Sequence, residues 1–390
     1  MSSSSRSTRA PMPTSTLAEM LGDMVPLMKR IREGDMLTRD DLMGWMVLGP
    51  PGSGKTRTVE SKFKFSVIIT MPEELADNAA ILMAVGDSAK YLVHPKVEAI
   101  VKWALAHPMV PCALILDELP LGEIQLNKIV ANWYSERVVA GTPLPDNVVI
   151  IATGNQRKHQ CGVGSLPANL VSRMRIYEIG FDVAGWLDWG AATLHPDVLA
   201  YAHMKPTAMY CWSDDPSETN MGQQYMDAAR DKIPYPNFRS NTALSNALKS
   251  SPNLSLAGIA AFIGPERAAE FQAMRRLRIP THEDLLEGRA EMPLEPMACW
   301  VAVIRCGQLL TPGNAAKTAR CMRDLNPELV EVGLKIAGKT ALAFLKARGI
   351  RVANGHLALV KRDEGAYWFP GFADELLCEG SRYLAMQEAE

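Results

Sequence analysis

The segment GPPGSGKT, residues 49–56, constrains the fold of this chain more than any other part of the sequence. It matches the pattern G-x-x-x-x-G-K-[ST], in which glycines let backbone N–H groups close around phosphate oxygens. A short apolar run at 45–48 precedes it, as a strand would, and a helix can follow it. The segment therefore predicts a phosphate-binding loop between a strand and a helix.

The eight loop residues are the predicted contacts to a nucleotide. Lys55 supplies a positive charge for the β- and γ-phosphates, and the Thr56 hydroxyl is a ligand suited to Mg²⁺. The chain has no N-K-x-D guanine signature, so ATP is the expected nucleotide. The loop residues are Gly49, Pro50, Pro51, Gly52, Ser53, Gly54, Lys55 and Thr56.

Several further apolar runs have the length and the branched side chains of buried strands. Helical patterns lie between them, and this alternation indicates an α/β domain with a parallel sheet covered by helices on both faces. After His195 the chain is mostly helical, and the one extended candidate is a hairpin at 349–361. The predicted strands are 45–48, 66–70, 113–116, 148–152 and 175–179, and the predicted helices between them include 96–106 and 121–134.

Asp117 and Glu118 end the apolar run ALIL, at the carboxyl end of a predicted parallel strand. An open α/β sheet presents its ligands at this edge. Asp117 would hold Mg²⁺ through water, and Glu118 would act as the general base that polarises the attacking water. An acidic pair alone is usually a solvated strand end, but the phosphate-binding loop favours the catalytic interpretation.

The order of these motifs resembles that of AAA+ ATPases, most closely the MoxR-type, dynein-related branch. GPPGSGKT is similar to its Walker A motif, LILDE at 114–118 to its Walker B, and ATGNQ at 152–156 to its sensor 1. LPANLVSRMRIYEI at 166–179 resembles its arginine-finger segment. The segments 195–201 and 235–248 resemble the start of its lid and its sensor 2. The chain departs from the family where Leu119-Pro120 follow Walker B and where Asn241 follows the sensor 2 pair, which puts lid packing in doubt more than catalysis.

The resemblance implies roles for four residues in catalysis. Asn155 would orient the attacking water or contact the γ-phosphate, and Glu118 would be the base. Arg173, with Arg175 as runner-up, would be the finger that acts on the nucleotide of the next subunit. Arg239 would reach from the lid to the phosphates of its own subunit.

The resemblance also implies an organisation and a partner. The expected domains are a flexible tail at 1–15, an α/β ATPase domain at 16–194, a helical lid at 195–280 and a helical extension at 281–390. A finger in trans implies a homo-oligomeric ring, most simply of six subunits. The expected function is ATP-driven remodelling of a protein client, with a von Willebrand factor A domain protein as a possible partner.

Two other functions stay open. A nucleic-acid motor or loader has support from the hairpin expected before sensor 1 and from the arginines at 275, 276 and 278. However, the 41 basic and 43 acidic residues leave a net charge of −2, which argues against extensive nucleic-acid binding. In the third interpretation the chain is an assembly scaffold without hydrolysis, which the Asp117–Glu118 pair argues against.

Composition narrows the setting further. The seven cysteines have no C-x-x-C spacing, which favours a reducing cytoplasm over a disulfide framework. No apolar run is long enough to span a bilayer, so a membrane role is not expected. The segments 71–92 and 138–146 are surface loops or pore-facing elements, and Trp186 and Trp189 are core or subunit contacts.

Overall fold

The computed structural model describes most of the chain as two compact units. The units comprise Met1–Asp182 with Trp212–Glu218, and Val183–Cys211 with Thr219–Glu390. The boundary thus falls at Asp182, inside the stretch assigned to the α/β domain from the sequence. The described residues are 14–73, 81–85, 88–92, 94–139, 141–156, 164, 166–211, 231–348, 359, 362–363, 366–367, 369–372 and 375.

The first unit is built on a parallel sheet that has six strands among the described residues. The five strands predicted from the apolar runs are all present, and a sixth pairs outside them. The order across the sheet is β1-β10-β2-β9-β6-β3, with every pairing parallel. The strands are β1 (Thr14–Ser15), β2 (Gly44–Leu48), β3 (Ser66–Thr70), β6 (Cys112–Asp117), β9 (Val148–Gly154) and β10 (Met174–Ile179).

Helices cover both faces of this sheet, because alternate strand residues point to opposite sides. On one face, Met46, Leu114 and Ile150 pack with helices α3 (Pro95–Ala106) and α4 (Ile124–Glu136). On the other face, the neighbouring residues 45, 113 and 149 pack with α1 (Leu17–Glu33) and α2 (Lys55–Glu60). The α/β sandwich predicted from the sequence is confirmed.

The N-terminal helix α1 has the boundaries that its capping residues dictate. The Thr16 side chain accepts the backbone N–H of Glu19, whose carboxylate accepts the N–H of Thr16 in return. Gly34 ends the helix in the left-handed conformation. The strand β1 precedes it, so the predicted flexible tail is wrong for Thr14 and Ser15, which pair with Glu178 and Ile179 of β10.

Two short hairpins interrupt the first unit. The strands β4 (Ile81–Val85) and β5 (Ser88–Leu92) form the antiparallel hairpin that occupies part of the predicted insertion at 71–92. The strands β7 (Val138–Val139) and β8 (Thr142–Pro143) form the hairpin expected before the sensor strand. Between α4 and β7, the buried Arg137 donates from Nη2 to the carbonyls of Pro145 and Val148, and burial lowers its pKa to about 10.

The second unit is helical in its described part, apart from one two-strand pairing of β11 (Arg362–Asp363) with β12 (Ala366–Tyr367). The predicted hairpin at 349–361 lies outside the described residues except for Leu359. No helix in the described ranges is both long and apolar enough to cross a membrane. After the short α5 (Ala168–Val171) of the first unit, the helices are α6 (Val183–Gly190), α7 (Pro196–Met204), α8 (Phe238–Ser250), α9 (Leu256–Ile263), α10 (Pro265–Arg275), α11 (His282–Leu286), α12 (Pro296–Gln308), α13 (Ala315–Arg323) and α14 (Pro327–Lys346).

The two tryptophans of α6 have different environments. Trp186 is buried and stacks on Phe238, with ring centroids 5.2 Å apart. Trp189 is 60% exposed. Trp186 is therefore a core residue, whereas Trp189 is not.

Candidate functional site

Three neighbouring strands deliver the predicted site residues to one edge of the sheet. Leu48 at the end of β2 pairs with Gly154 of β9, and Leu116 of β6 pairs with Ala152 of β9. Because the strands are parallel, the phosphate-binding loop, the acidic pair and Asn155 all follow their carboxyl ends. The sheet thus brings together residues that are far apart in sequence.

The loop at 49–54 has the backbone of a phosphate-binding turn. Gly52 and Gly54 have φ angles of 76° and 86°, a region that favours glycine. The Ser53 hydroxyl donates to the Pro50 carbonyl at 2.9 Å, and the Gly49 N–H donates to the Gly154 carbonyl at 3.1 Å. A Cβ at Gly49 would lie 2.7 Å from Cγ1 of Ile179, so a side chain there would need movement in β10.

Lys55 is the first residue of α2, and its ammonium group is buried within this site. The residue is 7% exposed. Its Nζ donates to the carbonyls of Gly49 at 3.0 Å and Pro50 at 2.8 Å, and to Oδ1 of Asn155 at 3.2 Å. A buried ammonium is costly unless it is fully hydrogen-bonded, so the loop carbonyls and Asn155 hold the charge at the edge of the sheet.

Thr56, Asp117 and Thr153 form a cluster of oxygen atoms. The hydroxyls of Thr56 and Thr153 donate to the same atom, Oδ1 of Asp117, at 2.7 and 2.5 Å. The two hydroxyl oxygens are 3.4 Å apart. Carboxylate and hydroxyl oxygens are the ligands that Mg²⁺ prefers. The chemistry of this donor set fits the Mg²⁺ expected from the sequence.

Thr153 is the site residue that the sequence analysis missed. It is fully buried and lies at the second-last position of β9. The signal was its spacing, since residues i and i+2 of a strand share a face and Asn155 had already been chosen. The motif ATGN therefore contributes two polar side chains to this edge.

Glu118 and Asn155 are joined directly. The Asn155 side-chain amide donates to both carboxylate oxygens of Glu118, at 3.1 and 3.4 Å. Since Oδ1 of the same amide accepts from Lys55, Asn155 links the predicted base to the predicted phosphate ligand. Asn155 is 5% exposed, so its orientation is fixed by these contacts and by packing.

The backbone at Glu118 is in the left-handed region, with φ 57° and ψ 37°. Such a conformation is uncommon for a residue other than glycine and persists only where surrounding structure holds it. The following turn, Leu119–Leu121, packs Pro120 against Gly154. A Cβ at Gly154 would lie 2.3 Å from Cδ of Pro120, so the glycine allows the turn after Glu118 to approach β9.

The two arginines of the predicted finger segment have different partners. Arg175 lies in β10, where its guanidinium stacks 4.8 Å above the Trp45 ring and donates to the Asp40 carbonyl at 3.1 Å. Arg173 precedes β10, and its guanidinium donates to the Asn169 carbonyl at the end of α5. Arg175 is thus fastened to the sheet of its own subunit.

Arg239 belongs to the second unit. It is an exposed residue in the first turn of α8, which is capped by the Asn237 side chain. Its reach to the phosphates of a nucleotide stays a prediction. The structure therefore brings together Lys55, Thr56, Asp117, Glu118 and Asn155, and it places Arg173 and Arg239 outside that group.

No protein-family model matches the chain, and no curated protein matches its sequence. Solved structures with similarity to it include C. elegans PCH-2, at 13% identity and a TM-score of 0.31, covering 65% of this chain and 66% of that one. Another is the closed state of Hsp104 with ATPγS and FITC casein, at 12% identity and a TM-score of 0.34, covering 56% and 45%. A third is the Thermotoga maritima RuvB Holliday junction branch migration motor, at 12% identity and a TM-score of 0.33, covering 70% and 74%.

The chain spans less than half of the Hsp104 chain and about two thirds of the PCH-2 chain. Similarity at this level carries no argument about family or activity. The assignment of function therefore depends on the geometry of the site itself.

Proposed function

We propose that the chain is an AAA+-type ATPase that hydrolyses ATP in the presence of Mg²⁺. The observation that supports this most is the junction of Lys55, Asn155 and Glu118 through one amide, beside the Thr56–Asp117 oxygen pair. A phosphate ligand, a base and a metal site are needed within one small volume for phosphoryl transfer to water. The loop with two left-handed glycines supplies the cradle for the phosphates.

In this proposal each side chain has one task. Lys55 exchanges hydrogen bonds with Gly49 and Pro50 for bonds to the β- and γ-phosphates. Glu118 accepts the proton of the attacking water, and Asn155 holds the carboxylate and orients that water. Mg²⁺, held by Thr56 and Asp117, neutralises charge on the phosphate oxygens when it is bound.

The test of the base is Glu118→Gln, which keeps the shape of the side chain but cannot accept a proton. We expect ATP binding within a few-fold of wild type and a loss of turnover of roughly 100-fold or more, since general base catalysis contributes about 10²–10⁴-fold. The matched control is Glu123→Gln, an exposed carboxylate at the start of α4 without a side-chain capping bond. If turnover of Glu118→Gln equals that of the control, Glu118 is not the base.

We further propose that Arg173 acts on the nucleotide of a neighbouring subunit in a ring, most simply of six. Arg175 is committed to Trp45 and Asp40 of its own subunit, which leaves Arg173 as the better candidate. Arg239 would contact the phosphates from the lid.

Mixing two inactive variants tests the finger in trans. Arg173→Ala has an intact loop, and Lys55→Ala has an intact finger, so mixed rings would contain some complete sites. We expect each variant alone to be inactive and the mixture to regain a fraction of the activity. A mixture as inactive as its parts, with ring formation verified by mass, would contradict the arrangement.

The client that best suits this proposal is a protein, acted on by a MoxR-like remodelling ring, with a von Willebrand factor A domain protein as a candidate partner. The alternative, a nucleic-acid motor, loses part of its support because Arg275 is paired with Asp197 rather than solvated. DNA-stimulated hydrolysis with a steep salt dependence would favour the motor. Hydrolysis unaffected by DNA but stimulated by a co-purifying protein would favour remodelling.

A further inference from the structure

A cavity of about 230 Å³ lies in the second unit, where α7, α10 and α12 meet. It is smaller than the roughly 300–1,000 Å³ of pockets for drug-sized ligands, so it suits a small occupant. Three charged side chains line it: Asp197, Arg275 and Arg305. Met274 and Val301 are among the apolar residues of its wall.

The charged groups of this cavity do not balance. Asp197, whose side chain is 6% exposed, accepts from Nε of Arg275 and from Nη2 of Arg305, each at 3.0 Å. Two guanidinium groups therefore share one carboxylate, and the lining carries a net charge of one positive unit. Beside apolar walls, such an excess charge is less screened than it would be in open water.

Arg305 retains donors for a ligand. Its side chain is 31% exposed, and within the described ranges only Nη2 has a hydrogen-bond partner, so Nε and Nη1 remain. Arg275 is more committed, since its Nη2 also donates to the Pro252 carbonyl. A planar guanidinium with two remaining donors matches the oxygen spacing of a phosphate group.

We propose that this cavity binds a phosphate group, either as free phosphate or as a small phosphate ester. Arg305 is its principal ligand, and Arg275 adds positive charge. Asp197 holds both guanidinium groups in place and competes with the anion for them. This site is separate from the phosphate-binding loop and does not depend on ATP hydrolysis.

Calorimetric titration of inorganic phosphate into the full chain tests this, in a Lys55→Ala background that weakens the loop as a second site. We expect one saturable site, weakened roughly tenfold or more by Arg305→Gln through loss of charge-assisted hydrogen bonds. The matched control is Arg276→Gln, an exposed arginine next to Arg275 that does not line the cavity, and it should bind as the parent does. Ribose 5-phosphate is the second arm: tighter binding than free phosphate identifies an ester as the ligand, and equal or weaker binding identifies the free ion.

The variant Asp197→Asn separates binding from a merely structural ion pair. Removing the competing carboxylate should tighten phosphate binding several-fold, whereas loss of structural support alone could not. A folded Asp197→Asn that binds no more tightly would overturn the proposal. If that variant does not fold, the pair of Arg305→Gln and Arg276→Gln decides: equal binding by both, or no saturable binding by the parent, refutes the site.

Discussion

Thr153→Val removes the one predicted-site hydroxyl that packing otherwise leaves unexplained. Valine has the same shape and suits a buried strand, so the change deletes a hydrogen bond without opening a large cavity. In the wild type, Thr153 and Thr56 together place two donors on Oδ1 of Asp117, at 2.5 and 2.7 Å. The variant leaves Thr56 as the donor that orients the carboxylate for Mg²⁺.

The structure sets the size of the effect. A hydrogen bond to a charged group is worth about 1.5–3 kcal/mol, and about 1.4 kcal/mol corresponds to tenfold in affinity. If the bond orients Asp117 for the metal, the half-saturating Mg²⁺ concentration should rise roughly 10- to 100-fold. Thr153→Ser keeps the hydroxyl and should restore most of the wild-type value.

A coupled ATPase assay at saturating ATP and varied Mg²⁺ measures this constant. Thr318→Val is the matched control, because Thr318 is also fully buried but lies on α13 in the second unit. Thermal unfolding of both variants separates metal affinity from general destabilisation. A folded Thr153→Val with an unchanged Mg²⁺ half-saturation would refute the reasoning, because the hydroxyl would then have no part in orienting Asp117.

Two further predictions concern stability. Gly154→Ala would place its Cβ 2.3 Å from Cδ of Pro120, so it should cost about 1–3 kcal/mol and reduce turnover by moving the turn after Glu118; Gly22→Ala on α1, where nothing lies within 4 Å, should leave thermal stability equal or higher, and equal melting temperatures would contradict the contact. Burial, with a smaller effect of Lys335, lowers the pKa of His203 from 6.5 to about 4. The folded state therefore binds fewer protons than the unfolded state between these values, and urea unfolding should show a loss of about 2 kcal/mol as the pH falls from 7 to 5. His203→Gln should flatten this dependence, and an unchanged slope would assign it to other groups.

The sequence was sufficient for the sheet because each central strand is a continuous apolar run followed by a functional segment. The runs before Pro50, at Asp117 and before Asn155 all became neighbouring strands in the order that the motifs required. The capping box at Thr16 and Glu19 was equally local, and it fixed the start of α1. Patterns of this kind depend on residues close in sequence, so they could be read without a structure.

Long-range contacts could not be read in the same way. Nothing in the finger segment indicated that Arg175 would stack on Trp45, because the pairing of β10 with β2 brings them together. Arg275 looked like one of three solvated arginines, yet it pairs with Asp197 of another helix. The short strand β1 was hidden in a polar segment whose composition indicated no strand, since only its backbone pairs with β10.

That strand has a consequence for how the protein can be shortened. Thr14 and Ser15 occupy the backbone of Glu178 and Ile179 on the outer side of β10, and the Asp23 carboxylate of α1 accepts the Tyr177 hydroxyl of the same strand at 2.9 Å. An exposed strand edge is a template for pairing with another molecule. A truncation that begins at Thr16 would uncover this edge next to the segment that carries Arg173. The start of the chain thus guards against unwanted association, and an affinity tag is better placed before residue 14 than in exchange for it.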